Sequence, residues 1–330
     1  MAAADNLEMS QFDCKTAFLN GELEESIFMV QPEGYDDGSG RICKLIRSLY
    51  GLKQAPRCWN RKLSLFLNSI GFNSSLFDPC VFIKRDDGRL IIIAIYVDDG
   101  LILANQKEDI AELLCQLQNK FVITICNEVS QFLGFQVERL DHGDIKIHQA
   151  AYALKTLEMF KMDDCRSSKV PADQASLDIL YDEKEVDTEH PIASVIGRLM
   201  YLMFTTRPDL AYAVGKAAQQ MSKPTIGLWK FVKRILRYLS GTVGLGIIYS
   251  NSSDSYLTIF TDADYAGDLL TRRSTTGYVS TLGNGAITWS NQRQSCVALS
   301  TTEAKYVAAS TAAKELVWLC NIINEFKPGI

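Results

Sequence analysis

Leu90 to Ala104 reads LIIIAIYVDDGLILA, two apolar runs parted by Asp98-Asp99-Gly100. Asp-Gly between β-branched runs is a strong short-range hairpin signal. The absence of polar alternation from Leu90 to Ile95 predicts strands buried in a sheet. Such a hairpin lifts adjacent carboxylates to the rim of an apolar layer, where they repel each other and where a divalent cation is one remedy. The other reading is an ordinary turn, since Asp is a favoured turn residue. On this stretch alone the turn is favoured.

The remaining composition sets bounds. A chain of 330 residues, 47% hydrophobic and 22% charged, has room for two globular domains with their own cores. Its longest apolar run, Leu90 to Val97, falls well short of the ~20 residues of a membrane span. The opening MAAADNLEMSQ lacks the basic and apolar regions of a signal peptide, so an intracellular chain without a membrane partner is expected, cytoplasm or nucleus left open. Nine cysteines without a C-x-x-C pair speak against zinc knuckles and a full disulfide framework, and for a reducing setting. A net charge of −5 argues against a free-standing nucleic-acid binder but leaves room for a local basic groove.

Along the chain, Leu7, Met9 and Phe12 suggest a short strand reaching Asp13, followed by a turn at Asn20-Gly21 and a loop at 36–40. Trp59, Leu63, Phe66, Leu67 and Ile70 fall at helical spacing, with Gly71 as the stop. After the hairpin come a helix from Lys107 to Lys120 and strands around QFLGFQVERL and DIKIHQ. The polar stretch 166–191 is the expected linker or domain edge. Helices are expected at Ile192–Met203, at Asp209–Met221 and after Pro224. On the last, Lys230, Lys233, Arg234 and Arg237 oppose an apolar side, reading either as a solvated face or as a stripe tracking a phosphate backbone. From Ser255 strand signals return (YLTIFTDADYAGD, TTGYVSTLG, GAITWSN). A helix then runs from Thr301 to Phe326, opened by a capping box of Ser300 and Glu303.

These segments resemble, in order, one family: the Pol polyprotein of copia-type retrotransposons. The motifs are QFDCKTAFLNGELEESIFMVQPEGY, SLYGLKQAPRCWNRKL, YVDD, FLGFQV, GRLMYLMFTTRPDLAYAVG, TDADYAGD, RRSTTGYV and ALSTTEAKYVAA, and they cover nearly the whole chain. The resemblance implies an α+β chain. Residues 1–150 would be a reverse transcriptase palm with the fingers largely missing, 151–250 thumb and connection helices, and 251–330 an incomplete ribonuclease H-like α/β domain. It also implies RNA-directed DNA synthesis, with an RNA or DNA template-primer and deoxynucleotides as partners, and other Pol-derived chains as further candidates.

Phosphoryl transfer of that kind is clamped by two Mg²⁺ ions about 3.5–4 Å apart. By resemblance Asp13 and Asp98 are the metal ligands and Asp99 the third, supporting carboxylate of the catalytic set. Phe18 matches the aromatic under the incoming sugar, where it would exclude a 2′-hydroxyl. Tyr50, Gly51, Lys53, Gln54 and Pro56 match the nucleotide- and template-binding turn. Phe132, Leu133 and Gly134 match the hairpin that grips the primer end. A core Phe, an ordinary bend and an ordinary strand remain the alternatives.

Three departures qualify the expectation. The chain opens about a dozen residues before Asp13, where the family has a basic fingers subdomain upstream. Its loss would remove several kcal/mol of transition-state stabilisation and leave weak or no extension. Two of the four ribonuclease H acids would lie beyond Ile330. The helix motif expected as STTEAEY reads STTEAKY, placing Lys305 where a Glu belongs. At ~100° per residue Lys305 falls on the line of Ala308, Ala312, Leu316, Leu319 and Ile323, and is expected half-buried and paired with Asp262. The ribonuclease H portion is therefore expected to be inactive. The competing function is a non-catalytic, transposon-derived protein that keeps the fold to bind nucleic acid or a protein.

Overall fold

The computed structural model describes residues 1–86, 88–251 and 256–327. The chain is mixed α and β, and it divides into two compact units, one built mainly from Asn6–Val129 and one mainly from Ser130–Cys320.

The N-terminal unit contains β1 (Glu8–Cys14), β2 (Phe28–Val30), β3 (Ile42–Lys44), α1 (Ala55–Ser69), β4 (Asn73–Ser74), β5 (Val81–Asp86), β6 (Arg89–Tyr96), β7 (Asp99–Ala104), α2 (Lys107–Lys120) and β8 (Ile123–Cys126). β2 and β3 form a separate ribbon. The others make an antiparallel sheet in the order β4-β5-β6-β7-β1-β8. Trp59, Leu63 and Leu67 on α1 and Leu113 and Leu117 on α2 are buried with Phe12, Ile93, Ile95 and Ile102 of the sheet. The helical stripes of the sequence thus cover one sheet face. Each such side chain contributes about 1.5–3 kcal/mol on burial, so this layer, more than the strand hydrogen bonds, fixes the register. Gly71 ends the first helical segment with φ +92°, a conformation open to glycine.

The hairpin differs from its sequence reading. Tyr96 pairs with Asp99, so the two-residue turn is Val97-Asp98, and Asp99-Gly100 already belong to β7. Val97 takes φ +57°, an uncommon conformation for a β-branched residue. Gly100 has a packing role instead: it lies opposite Phe12, and a Cβ there would fall inside the Phe12 ring.

The C-terminal unit contains β9 (Gln131–Phe132), β10 (Phe135–Arg139), β11 (Ile145–His148), α3 (Ala150–Met159), α4 (Gln174–Asp182), α5 (Ile192–Thr205), α6 (Ala211–Gln219), α7 (Ile226–Ser240), β12 (Gly246–Tyr249), β13 (Thr258–Asp264), β14 (Thr275–Leu282), β15 (Gly285–Arg293) and most of α8 (Thr301–Phe326). Its sheets run β12-β11-β10-β9 and β13-β14-β15. Leu180, Val195, Ile196, Leu199, Phe231, Ile235 and Leu239 form the centre of a helical core. Trp289 ties β15 to it, donating its indole N–H to the Met203 carbonyl at 2.8 Å. In the motif TTRPDL, Arg207 is 2% exposed, held by Asp209 and by the carbonyl and hydroxyl of Thr242. That arginine fastens the fold.

Residues 166–191 are not a linker. They contain α4, capped by Asp173, whose side chain accepts from Ser176 N–H at 3.0 Å, and they send Leu180 into the core. The boundary between compact units falls at Val129/Ser130. This helix also explains the basic side of α7. Lys230 reaches Glu183 at 2.7 Å, Arg234 reaches Asp173 at 2.6 Å, and Arg237 donates to the Arg166 carbonyl at 2.7 Å. Three of the four cations thus hold the 166–183 segment in place, and Lys233 stands 5.7 Å from the centre of the Trp229 ring. At α8, Ser300 caps Glu303 N–H as read. The Glu303 carboxylate, however, reaches back to Leu299 N–H at 2.7 Å, one residue earlier than the capping box predicts. All nine cysteines are free, and among the described residues no helix is long and apolar enough to cross a membrane.

Candidate active site

Asp13 is the penultimate residue of β1, and its direct cross-strand partner is Asp99 at the start of β7. Directly opposed residues of antiparallel strands point to the same face, and like charges so placed destabilise the pair. Asp98 occupies the turn beside them, its carbonyl accepting from Cys14 N–H at 2.8 Å. Burial, then the charges of Asp98 and Asp13, push the Asp99 carboxyl above the usual aspartate range. Burial and the same two neighbours raise the Cys14 thiol to about 11. It stays protonated at neutral pH and offers no thiolate ligand.

The turn is gripped from the helix layer. Trp59 of α1 donates its indole N–H to the Val97 carbonyl at 2.5 Å. The sequence pattern explained Trp59 as one member of an apolar stripe, and its second role was missed. The available signal was general: a buried indole N–H needs an acceptor.

Phe18 sits in a short 3-10 turn, Ala17–Asn20, with its ring centroid 4.6 Å from that of Tyr50. The Tyr50 hydroxyl is raised by burial first and by Asp98 second, which sets it in the field of the carboxylates. Gly51 follows at φ +95° in the Leu49–Leu52 turn, the glycine-favouring position. Lys53 is exposed, Gln54 precedes α1 without a side-chain cap, and Pro56 lies in its first turn. Asp13, Asp98, Asp99, Phe18 and Tyr50 therefore gather in this unit, and Lys53, Gln54 and Pro56 lead away into α1.

The donor set suits a hard cation: carboxylate oxygens, beside a thiol that stays protonated. Among the described residues no group of three or more His, Cys, Asp or Glu side chains is arranged to hold a metal ion by itself. Magnesium seldom asks for such a cage, since it is commonly held by one or two carboxylates together with substrate phosphates and water.

In the C-terminal unit, Leu133 (φ +46°) and Gly134 (φ +81°) form the two-residue turn between β9 and β10, as a type I′ hairpin requires. Tyr201 donates its hydroxyl to the Leu133 carbonyl at 2.8 Å. Asp262, on β13, has its Oδ1 2.5 Å from Lys305 Nζ on α8. That hydrogen bond, with the backbone N–H of Ala263 and the lysine charge, holds the Asp262 carboxyl below its usual range. The expected burial is not found. Lys305 and Asp262 are 60% and 72% exposed, because Ala304, Ala308, Ala312 and Leu319 form the buried stripe of the helix.

The sequence profile described as "Reverse transcriptase (RNA-dependent DNA polymerase)" matches residues 1–174. The chain belongs to this family. It is 41% identical, over 98% of its length, to the retrovirus-related Pol polyprotein from transposon TNT 1-94 of Nicotiana tabacum. It is 35% identical, over 96% of its length, to that from transposon RE1 of Arabidopsis thaliana. The alignments cover 25% and 22% of those polyproteins, so the chain spans about a quarter of their length. A putative transposon Ty5-1 protein of Saccharomyces cerevisiae is 27% identical over 92% of the chain and is covered along 100% of its own length. The resemblance to copia-type Pol polyproteins read from the motifs holds. Reverse transcriptases act on a nucleic-acid template with nucleotide substrates and normally use a divalent metal.

Proposed function

We propose that the N-terminal unit is the palm of an RNA-directed DNA polymerase, with Asp13 and Asp98 as ligands of two Mg²⁺ ions and Asp99 supporting them. The carrying observation is the direct pairing of Asp13 with Asp99 beside Asp98, three acids on one rim with an elevated Asp99 carboxyl. Divalent ions bound there would neutralise the charge of the transferring phosphoryl group. The chain's own residues do the rest. Trp59 and the Phe12–Gly100 contact hold the hairpin, Cys14 N–H fixes the turn carbonyl, and Phe18 on Tyr50 forms the wall for the sugar of an incoming deoxynucleotide. Tyr50, Gly51, Lys53, Gln54 and Pro56 would support nucleotide and template, and Phe132-Leu133-Gly134 the primer end.

The test combines Mn²⁺ binding, followed by water relaxation, with primer extension in Mg²⁺. Binding strengthened by deoxynucleotide, and any extension present, should both vanish in Asp98→Asn. Binding or extension that is unchanged in that variant overturns the reading.

Residues 251–330 we read as a ribonuclease H-like part that no longer cuts. Lys305 holds Asp262 through its own ammonium group, where a shared metal would need a second carboxylate. The same pair favours, for this part of the chain, the second function: a non-catalytic segment kept for binding nucleic acid or protein. RNA-strand cleavage of a hybrid that is abolished by Asp262→Asn would refute it.

A further inference from the structure

A cavity of about 160 Å³ opens in the N-terminal unit beside the β5–β6 hairpin and the first turns of α2. Its charged lining is Lys84, Asp86, Arg89, Asp109 and Glu112, and Phe72 supplies an apolar wall. Asp109 is the unusual member. Its side chain is 5% exposed, yet its Oδ2 is buried without a hydrogen-bond partner.

The neighbouring cations do not answer that oxygen. Arg89 reaches only Oδ1, at 3.3 Å, from a side chain that is 59% exposed. Lys84 donates to the Ile70 carbonyl at 3.0 Å and stands 5.9 Å from the centre of the Phe72 ring. Glu112 Oε1 accepts from Gln116 at 3.2 Å, again a contact on its own helix. The N-terminal dipole of α2 favours an acid in its first turn but brings no donor to Oδ2. A carboxylate taken out of water needs such a donor or a positive charge.

We propose that this cavity binds a small organic cation, an ammonium or guanidinium group on a short alkyl stem. Its N–H groups answer Asp109 Oδ2 and Glu112, and its stem lies along Phe72. Among the described residues, Asp86, Asp109 and Glu112 against Lys84 and Arg89 leave the lining one negative charge, which a monocation balances. A bare metal ion is the poorer match, since Lys84 and Arg89 stand in the same lining and the Phe72 wall offers no ligand atom. The volume equals about five water-sized groups, which limits the ligand to a short stem. Arg89 and Tyr96 are the two ends of β6, roughly 23 Å apart at ~3.3 Å per residue. The site is thus separate from the carboxylate rim and does not rest on the polymerase reading.

The test titrates the full chain with n-butylammonium and with methylguanidinium, by calorimetry and by thermal unfolding. Tetramethylammonium, which has no N–H, and sodium chloride are the controls. Saturable binding and a matching rise in Tm are expected with at least one N–H cation and with none of the controls. Glu112→Gln, a change at an exposed residue, should weaken the affinity about tenfold, the loss of one charge-assisted hydrogen bond. Asp109→Asn should abolish binding, with circular dichroism reporting whether it folds. No saturable response means the cavity holds water only. That outcome, a response shared with tetramethylammonium, or unchanged affinity in Glu112→Gln overturns the proposal.

Discussion

Asp99 and Asp262 are both carried on strands, one in each compact unit, and their surroundings act on them in opposite directions. Asp99 faces Asp13 across the strand pair, with Asp98 next to it, and its carboxyl is held high by burial and by those neighbours. Asp262 lies 2.5 Å from the ammonium of Lys305 and is held low. A carboxylate cluster with no cation of its own creates a demand that an ion from solution or a substrate can meet. A carboxylate already joined to a lysine creates none. On the proposed reading, the difference between the two sites comes down to the charge of the facing side chain.

The largest expected effect tests the first half of that contrast. Asp98→Asn should lower metal-dependent nucleotide incorporation roughly a thousandfold, the equivalent of several kcal/mol of charge stabilisation. Asp262→Asn should leave that activity as it was, and equal losses in both variants would break the comparison. Next in size is a pair of glycines. Gly100→Ala drives a methyl group into the Phe12 ring and should cost about 1–3 kcal/mol in a urea unfolding experiment. Gly277 pairs with Asp262, and a Cβ there would meet only the Asp262 carbonyl oxygen, at 4.0 Å. Gly277→Ala should therefore be neutral or stabilise by up to about 1 kcal/mol.

Acid titration gives a smaller effect with a sign to check. The folded pKa of Asp99 lies above its unfolded value, so the unfolded chain loses that proton first as pH rises. Stability then falls across the window from the ordinary aspartate value up to the raised one. Asp262 runs the other way: its contribution is present above the ordinary value and is lost as pH falls through its lowered one. Unfolding midpoints between about pH 3 and 6 should lose a falling component in Asp99→Asn and a rising one in Asp262→Asn. The second should fade in high salt, because its groups are exposed. Smallest of all is the stability effect of Lys305→Glu, the removal of a surface ion pair. Its informative readout is the Asp262 carboxyl, which NMR should find raised, together with weak Mn²⁺ broadening of the Asp262 signals that the parent chain does not show there. A low carboxyl and no Mn²⁺ effect at Asp262 in that variant would show that the facing charge does not decide the matter.

Helices announced themselves where an apolar stripe met a clear stop. The helix read at about Lys107 to Lys120 has those bounds, and α1 was marked by Trp59, Leu63 and Leu67 ahead of Gly71. The proximity of Lys305 to Asp262 followed from the family motif together with the helix face, but the burial read from angular spacing did not hold. The buried stripe of α8 is largely alanine, which carries little hydropathy contrast, and it runs beside Lys305 instead of through it. The polar segment 166–191 was misread because composition outweighed its apolar residues Leu177, Leu180 and Tyr181, which α4 turns toward the core. The turn was misplaced by two residues because Asp-Gly is the favoured turn pair, whereas here the packing of Phe12 claims Gly100 and the turn falls on Val97. Tertiary contacts overrode local preference at the point where the proposed catalytic acids sit.

The contact between Phe12 and Gly100 also constrains how this sequence can drift. A side chain can appear at position 100 only if the one at position 12 shrinks, and shrinking Phe12 first opens a hole in the core. Either change alone passes through a strained or hollow intermediate, while the double change has a packed solution. Two positions far apart in the chain are therefore inherited as one trait, and lineages that alter the first should carry the answering change in the second.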